Sequence, residues 1–309
     1  MDKQPKIVIL LSTYNGENYL AEQLDSLLKQ TYSDFIIIIR DDGSTDGTEN
    51  IISHYVDQNQ GKIHELSEIR SNIGPRSSYS LLIKYVMKEK VTLGISRLYM
   101  MLCDQDDIWA KEKLEIQMSE MLCTEQKFPD SPVLIHSDLK VVDESKSVIA
   151  ESFIKYQGLE IKRNTFTNVV ISNLVTGCTS LFNEELARIA LPIPNSAIMH
   201  DWWLALAASA FGKVVFINIP LVEYRQHANN TIGAKEFSRV AVSSPARFRL
   251  LAPKVNSHLV DVAVQATEFQ RRFGKALGLK QNICLKISSM MKFRLGGLQR
   301  VFCRIARTL

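Results

Sequence analysis

Three short apolar runs, Lys6–Leu11, Phe35–Ile39 and Leu98–Cys103, each give way to a polar segment bearing Asp, Asn, Ser, Thr or Gly. The runs are too short for helices, and the first two are dense in β-branched residues, so they read as strands buried on both faces. Helical stripes separate them: Leu20, Leu24, Leu27 and Leu28 on one face, then Ile52, Tyr55 and Val56, then Leu81, Leu82, Tyr85 and Val86. Strands alternating with helices predict an α/β fold with a mainly parallel sheet. Ligands of such sheets bind outside the carboxyl ends of the strands, where strand order reverses. Thr13–Glu17, Asp41-Asp42 and Asp104–Asp107 are therefore expected in one crevice. They lie about 30 to 60 residues apart, the spacing of βαβ units of roughly 30 residues.

The third strand end is the most acidic. Asp104-Gln105-Asp106-Asp107 sets three carboxylates in four residues directly after an apolar strand. Like charges this close destabilise a strand end, and a hard divalent ion with oxygen ligands, Mg²⁺ or Mn²⁺, removes the conflict. Asp104 and Asp106 form a D-x-D pair, an arrangement that holds a metal against a diphosphate; the plain alternative is a solvated acidic turn. Asp107 also suits a cap for the next helix, which has Leu114, Met118, Met121 and Leu122 at helical spacing. Asp41-Asp42-Gly43-Ser44-Thr45 reads by itself as a capping turn, and Asp46 with Glu49 fits a capping box.

The second half is less regular. Val133–His136 and Lys140–Val142 read as strands around Ser137-Asp138, and Leu174–Phe182 as a small-residue strand or loop. His200-Asp201-Trp202-Trp203 opens a short helix that runs to Phe211 and stops at Gly212. Val214–Ile217 is a further strand, and Leu221–Tyr224 leads into Arg225-Gln226-His227-Ala228-Asn229-Asn230. The 309 residues are 46% hydrophobic and 23% charged, as in a globular chain with a sizeable core. No run of 18 apolar residues argues for a membrane span. The N-terminus leads straight into a strand without the features of a signal peptide. Five cysteines form no C-x-x-C or Cys/His cluster, which fits reduced thiols in a cytoplasmic protein.

Charge is divided along the chain. Of 37 Lys/Arg, ten fall in residues 269–309, where no Asp or Glu occurs; the preceding residues hold 27 basic against 33 acidic. Basic and apolar residues interleave there, with Leu285, Ile287, Met290, Met291, Phe293, Leu298, Val301, Phe302 and Ile305 as a stripe. Gly296-Gly297 interrupts the stripe, which predicts two short helices. Such a tail suits an anionic membrane surface, and equally a packed pair of solvated helices. Nucleic acid is not expected, since aromatic interleaving is sparse and no recognition motif is present.

Taken in order, these segments resemble the family 2 glycosyltransferases, inverting enzymes with the nucleotide-sugar-binding GT-A fold. The residues that carry the resemblance are STYNGENYLAEQLDSLLKQTYSDF (12–35), DDGSTDGT (41–48), NIG (72–74), DQDDIW (104–109), TGCTSLF (176–182) and HDWW (200–203). Through DQDDIW, HDWW and YRQHANN the chain looks most like bacterial rhamnosyltransferases of cell-surface polysaccharide synthesis. The resemblance implies a GT-A, Rossmann-like, mixed but mainly parallel sheet flanked by helices, over residues 1–235. Residues 5–110 would form the nucleotide-binding half, 111–235 the acceptor-binding half, and 236–309 a helical basic extension. It implies that Thr13, Tyr14, Asn15, Glu17, Asp41, Asn72, Gly74 and Asp104 surround the nucleotide sugar, with Asp42 accepting from the base N3–H. Asp106 matches the metal-contacting position, with Asp104 beside it and His227 reaching in from a later loop. Asp201 matches the general base, which takes a proton from the acceptor hydroxyl as it attacks C1; it also suits a helix cap. Trp202 and Trp203 fall on the acceptor side.

The implied partners are a nucleoside-diphosphate sugar, with dTDP-rhamnose a candidate, and a saccharide or lipid-linked acceptor. The implied location is the inner face of the cytoplasmic membrane. Two other readings compete. A sugar-1-phosphate nucleotidyltransferase would carry a basic, Gly-rich loop after the first strand, and Ser12–Gly16 has no basic residue. A catalytically silent nucleotide-sugar-binding protein is opposed by the presence of Asp42, Asp104, Asp106 and Asp201 together.

Overall fold

The structure, a computed structural model, describes residues 5–67, 71–227, 255–293 and 295–309. Among them, nine strands form one sheet: β1 (Lys6–Thr13), β2 (Phe35–Asp41), β3 (Ile63–Glu65), β4 (Leu98–Cys103), β5 (Ile108–Trp109), β6 (Val133–Val142), β7 (Val148–Ala150), β8 (Ser180–Asn183) and β9 (Lys213–Arg225). The helices are α1 (Leu20–Leu28), α2 (Thr48–Gln58), α3 (Gly74–Glu89), α4 (Lys113–Lys127), α5 (Phe153–Tyr156), α6 (Phe166–Val169), α7 (Glu184–Ala190), α8 (His200–Phe211), α9 (Ser257–Phe273), α10 (Leu279–Ser289) and α11 (Gly296–Thr308). Strand order is β3-β2-β1-β4-β8-β6-β9-β5, with β7 beside β6.

The first half follows the periodicity of the sequence. Side chains alternate along each strand. Val8, Leu10, Ile36, Ile38, Met100 and Leu102 face one core, covered by α3, α7 and α8. Ile7, Ile9, Leu11, Ile37, Ile39 and Met101 face a second, covered by α1, α2 and α4. The parallel register sets Thr13 against Asp41 and Leu11 against Cys103. The three polar loops thus leave the sheet at one edge, beside the β1/β4 position where strand order reverses.

The second half joins what the sequence separates. Val133–His136 and Lys140–Val142 are one strand, β6, and Val214–Ile217 and Leu221–Tyr224 belong to one strand, β9. Their parallel ladder shifts at Asp138, opposite Pro220. Proline has no N–H to give, so the ladder bulges there instead of ending. Segment 174–182 is a 3-10 turn at Gly177–Thr179 followed by the short strand β8. Helix α8 is buried from Trp202 to Ala208, as expected of a helix apolar on all sides.

The basic tail is not one free arm. Its first part lies in α9, whose Phe269 is fully buried and stands 5.2 Å from Trp203. Arg272 donates to the carbonyls of Ile189 and Pro192, both at 2.7 Å, and to that of Leu191. Cys284, Leu285, Met291 and Ala306 carry α10 and α11 onto the same core. The break falls at a 3-10 turn, Met290–Lys292, and Gly296-Gly297 begins α11 instead of interrupting it. The stripe is accordingly divided: Leu285 and Met291 are buried, whereas Met290, Phe293, Leu298, Val301 and Ile305 are exposed. The expected boundary at 235/236, and Ala228-Asn229-Asn230 of the YRQHANN stretch, lie outside the described residues.

Candidate functional site

The loops at the carboxyl edge surround a cavity of about 650 Å³, within the range of small-ligand sites. Of the residues expected there, Thr13, Tyr14, Asp42, Asn72, Gly74, Asp104, Asp106, Asp201 and Trp202 line it. Asp42 is buried and holds the far wall. It pairs with the Arg40 guanidinium at 2.6 Å and accepts from the Ile73 and Gly74 N–H groups, each at 2.8 Å. Gly74 has φ +76°, a conformation that a side chain would strain. These long-range bonds draw Asn72–Gly74 to the cavity and leave acceptor capacity on Asp42.

Asn15, Glu17 and Asp41 do something else. The Asn15 amide oxygen accepts from Thr45 N–H at 2.8 Å, and a Glu17 carboxylate oxygen from Gly47 N–H at 2.7 Å. Asp41 accepts from the hydroxyls of Thr13 and Ser44 at 2.8 and 2.6 Å and from the Ser44 N–H at 2.7 Å. The structure places these three outside the cavity wall. Their side chains fasten the β1 and β2 loops to each other.

The acidic cluster sits deeper. Burial first, and the Asp106 charge second, push the Asp104 carboxyl up to about 7. Asp107 is fully buried and is raised well above the usual carboxylate range by burial and by its two neighbours. One of its oxygens has no hydrogen-bond partner. It does not cap α4, which begins at Lys113 with Glu112 at the cap position. Its other oxygen faces the Arg225 N–H at 3.4 Å. A cation fits this set, because it would offset the repulsion and favour the ionised carboxylates. His227 Nε2 stands 2.8 Å from an Asp106 oxygen, so these two metal candidates already touch. Asp104, Asp107 and Cys178 form a second cluster, their ligand atoms within 4.8 Å of one another. The Cys178 thiol is pushed up strongly by burial, and a soft sulfur suits Mg²⁺ or Mn²⁺ less well than oxygen.

Another part of the wall comes from α8 and the segment before β8. Asp201 stands in the first turn of α8, behind Met199 at the cap. Burial pushes its carboxyl up to about 6, against hydrogen bonds from the Trp202 and Gly177 N–H groups that favour the anion. Trp202 faces the cavity, donates to the Val169 carbonyl at 2.6 Å and lies 5.5 Å from the His258 ring. Trp203 departs from the acceptor-side expectation. It is fully buried, donates to the Ala190 carbonyl at 2.9 Å and packs on Phe269 and Phe273. Adjacent helical residues point about 100° apart, so only one of the pair reaches the cavity.

Several residues of the site have no role assigned from the sequence. Gln105 clamps the Tyr14 main chain, accepting from its N–H at 2.7 Å and donating to its carbonyl at 3.0 Å. A Cβ at Gly16 would sit 2.5 Å from the Gln105 amide oxygen, so a side chain there would push the Gln105 amide off the Tyr14 main chain. The Tyr79 hydroxyl lies 2.6 Å from the Cys103 carbonyl and 3.0 Å from Asp104. Phe153, Gln157, Leu159, Ser172–Val175 and His258 complete the wall. A charged Arg40 in an isoleucine run was the one visible signal of a buried ion pair.

Residues 8–126 match the model of the family described as Glycosyl transferase family 2. The chain is 26% identical over 268 residues to the dTDP-rhamnosyl transferase RfbG of Shigella flexneri, covering 81% of this chain and 85% of that one. It is 25% identical over 237 residues to TuaG of Bacillus subtilis, a glycosyltransferase assigned to teichuronic acid biosynthesis, covering 76% and 84%. Among solved structures, residues 1–349 of S. aureus TarS in complex with UDP align over 98% of this chain and 91% of that one. The TM-score is 0.51 at 16% identity, a likeness of fold alone.

Proposed function

Because the chain belongs to glycosyl transferase family 2, we propose that it moves a sugar from a nucleoside-diphosphate sugar to a saccharide or lipid-linked saccharide, with inversion at C1. The reaction would serve synthesis of a cell-surface polysaccharide, with dTDP-rhamnose the first donor to test, given the name of the Shigella relative. One observation carries this reading. A single cavity is lined by Asp42, Asp104, Asp106 and Asp201 together. Thr13, Tyr14, Asp42 and the Asn72–Gly74 loop enclose the nucleoside. Asp201 takes the proton of the acceptor hydroxyl as that oxygen attacks C1, and Trp202 offers its ring to the acceptor. Asp106, Asp104 and His227 would hold Mg²⁺ or Mn²⁺, which when bound offsets the charge developing on the departing diphosphate. Residues 5–110 serve as the nucleotide-binding half and 111–235 as the acceptor-binding half, with His258 extending the acceptor wall from α9.

A donor panel of dTDP-rhamnose, UDP-glucose, UDP-galactose and UDP-N-acetylglucosamine, with and without Mn²⁺, tests the reading through release of nucleoside diphosphate. Release from one donor that depends on the ion is the expected result. Binding without turnover under every acceptor condition would identify a silent nucleotide-sugar-binding protein instead.

The reading extends to the inner face of the cytoplasmic membrane, where a lipid-linked acceptor would lie. No helix among the described residues is long and apolar enough to cross a membrane, so attachment would be peripheral. Exposed Leu279, Ile283 and Met290 of α10 and its following turn, with Leu298, Val301 and Ile305 of α11, form apolar rows. Exposed Lys280, Lys286, Lys292 and Arg304 stand among them. Each basic residue near an anionic surface contributes about 1 kcal/mol. Lys286→Gln with Arg304→Gln should therefore weaken sedimentation with anionic vesicles by about thirtyfold, and high salt should weaken it in wild type. A wild-type chain that ignores such vesicles at low salt makes these helices ordinary packed ones.

A further inference from the structure

Arg225, the last residue of β9, is buried and joins four parts of the chain. Its Nε donates to the Asp106 carbonyl at 3.1 Å, one terminal nitrogen to the Glu144 carbonyl at 3.2 Å, and the other to the Glu22 carboxylate at 2.5 Å. The guanidinium lies 4.9 Å over the Tyr19 ring, and that ring stands 4.7 Å from His227. Glu22 is fixed in turn by Lys146 at 2.8 Å. The bonds to Asp106 and Glu144 end on main-chain atoms, so they set the path of the acidic loop and of the β6–β7 connection. Two residues on, His227 meets the Asp106 carboxylate at 2.8 Å.

We infer that Arg225 is a positioning residue for the proposed divalent-ion site: with Glu22 it holds the Asp106 main chain and the Tyr19–His227 stack so that the Asp106 and His227 side chains face one ion. The inference rests on the metal-site reading given above. The chemistry asks for arginine. Three fixed donors aimed at three acceptors, with a flat face for an aromatic ring, cannot be reproduced by a single ammonium. Partners behind metal ligands typically change metal affinity by tenfold to a hundredfold when removed. Glu22 is not among the residues lining the cavity and contacts only the guanidinium and Lys146 among charged groups described, so it reports on the same brace from outside the site.

The test is Mn²⁺ affinity, read from the electron paramagnetic resonance of the free ion, in the presence of dTDP or UDP. Nucleotide affinity in EDTA and the melting temperature are measured alongside. Arg225→Met should weaken Mn²⁺ by tenfold to a hundredfold and leave nucleotide binding in EDTA within about twofold. Arg225→Lys should fall between, and Glu22→Gln should weaken the ion several-fold with an unchanged fold. If Arg225→Met fails to fold, Arg225→Lys and Glu22→Gln still decide the matter. Folded Arg225→Lys and Glu22→Gln proteins with wild-type Mn²⁺ affinity would overturn the positioning role alone. A wild-type chain that binds nucleotide but no Mn²⁺ overturns the metal site and this role together, and one that binds neither overturns the transferase reading.

Discussion

Asp201→Asn is expected to reduce transfer by about 10²- to 10⁴-fold, the range for a positioned proton acceptor, and to leave the nucleoside-diphosphate affinity close to wild type. The donor-side residues Asp42, Asp104 and Asp106 line the same cavity but come from other loops, so their contacts survive. An asparagine oxygen still accepts from the main chain that holds Asp201, which spares the turn. The pH dependence gives a second check. Burial pushes Asp201 up to about 6, and only the anion is a base. Wild-type transfer should therefore rise with pH to a plateau above about 6, and the residual rate of the asparagine protein should lose that step. Stability runs the other way. An acid whose folded pKa exceeds its unfolded value of about 3.9 binds its proton more tightly when folded. Stability attributable to it is present below the unfolded value and is lost as pH rises through about 6. Asp201→Asn should thus melt no lower than wild type at neutral pH. Equal losses of donor affinity and rate, or unchanged transfer in the folded protein, would remove Asp201 from the base role.

The residues that are legible in the sequence are those whose partners are near in the chain or repeat with a period. Ile7, Ile9 and Leu11 against Val8 and Leu10 foretell two cores on two faces, and the Leu20–Leu27 stripe foretells α1. Polar loops after apolar strands foretell the crevice, since parallel register leaves the strand ends no other place to meet. The rest depends on contacts that no local pattern encodes. Arg225 and Glu22 are 203 residues apart, and Gln105 reaches Tyr14 across 91. Asn15 and Glu17 look like ligand-facing residues because polar loop side chains usually are. Here the orphan N–H groups of Thr45 and Gly47 claim them first. Trp202 and Trp203 look alike in sequence, and only the way α8 lies between α9 and the cavity separates them. The tail reads equally as a membrane-facing or a packed helical pair because charge dominates its composition, while Phe269, Leu285 and Met291 decide its packing.

Asp106→Asn should lower turnover by about 10²-fold or more, the scale of a lost electrostatic contact to charge developing in the transition state. The same change should weaken Mn²⁺ in the presence of nucleotide, because a neutral amide is a poorer partner for a hard cation than a carboxylate. The fold should be spared. Arg225 holds the main-chain carbonyl of residue 106, not its side chain, and asparagine can still meet His227. Without an ion the substitution even relieves the site, since the Asp106 charge is one of the causes that push Asp104 up to about 7. In EDTA, Asp106→Asn should accordingly melt at or above the wild-type temperature, and Asp104 should titrate closer to an ordinary carboxylate. That combination, lower activity and weaker ion binding with equal or greater stability, is the signature of a carboxylate placed for a cation and not for the fold. Near-normal turnover in the folded Asp106→Asn protein would defeat the metal-site assignment. A large fall in melting temperature in EDTA would instead make Asp106 a structural partner of His227.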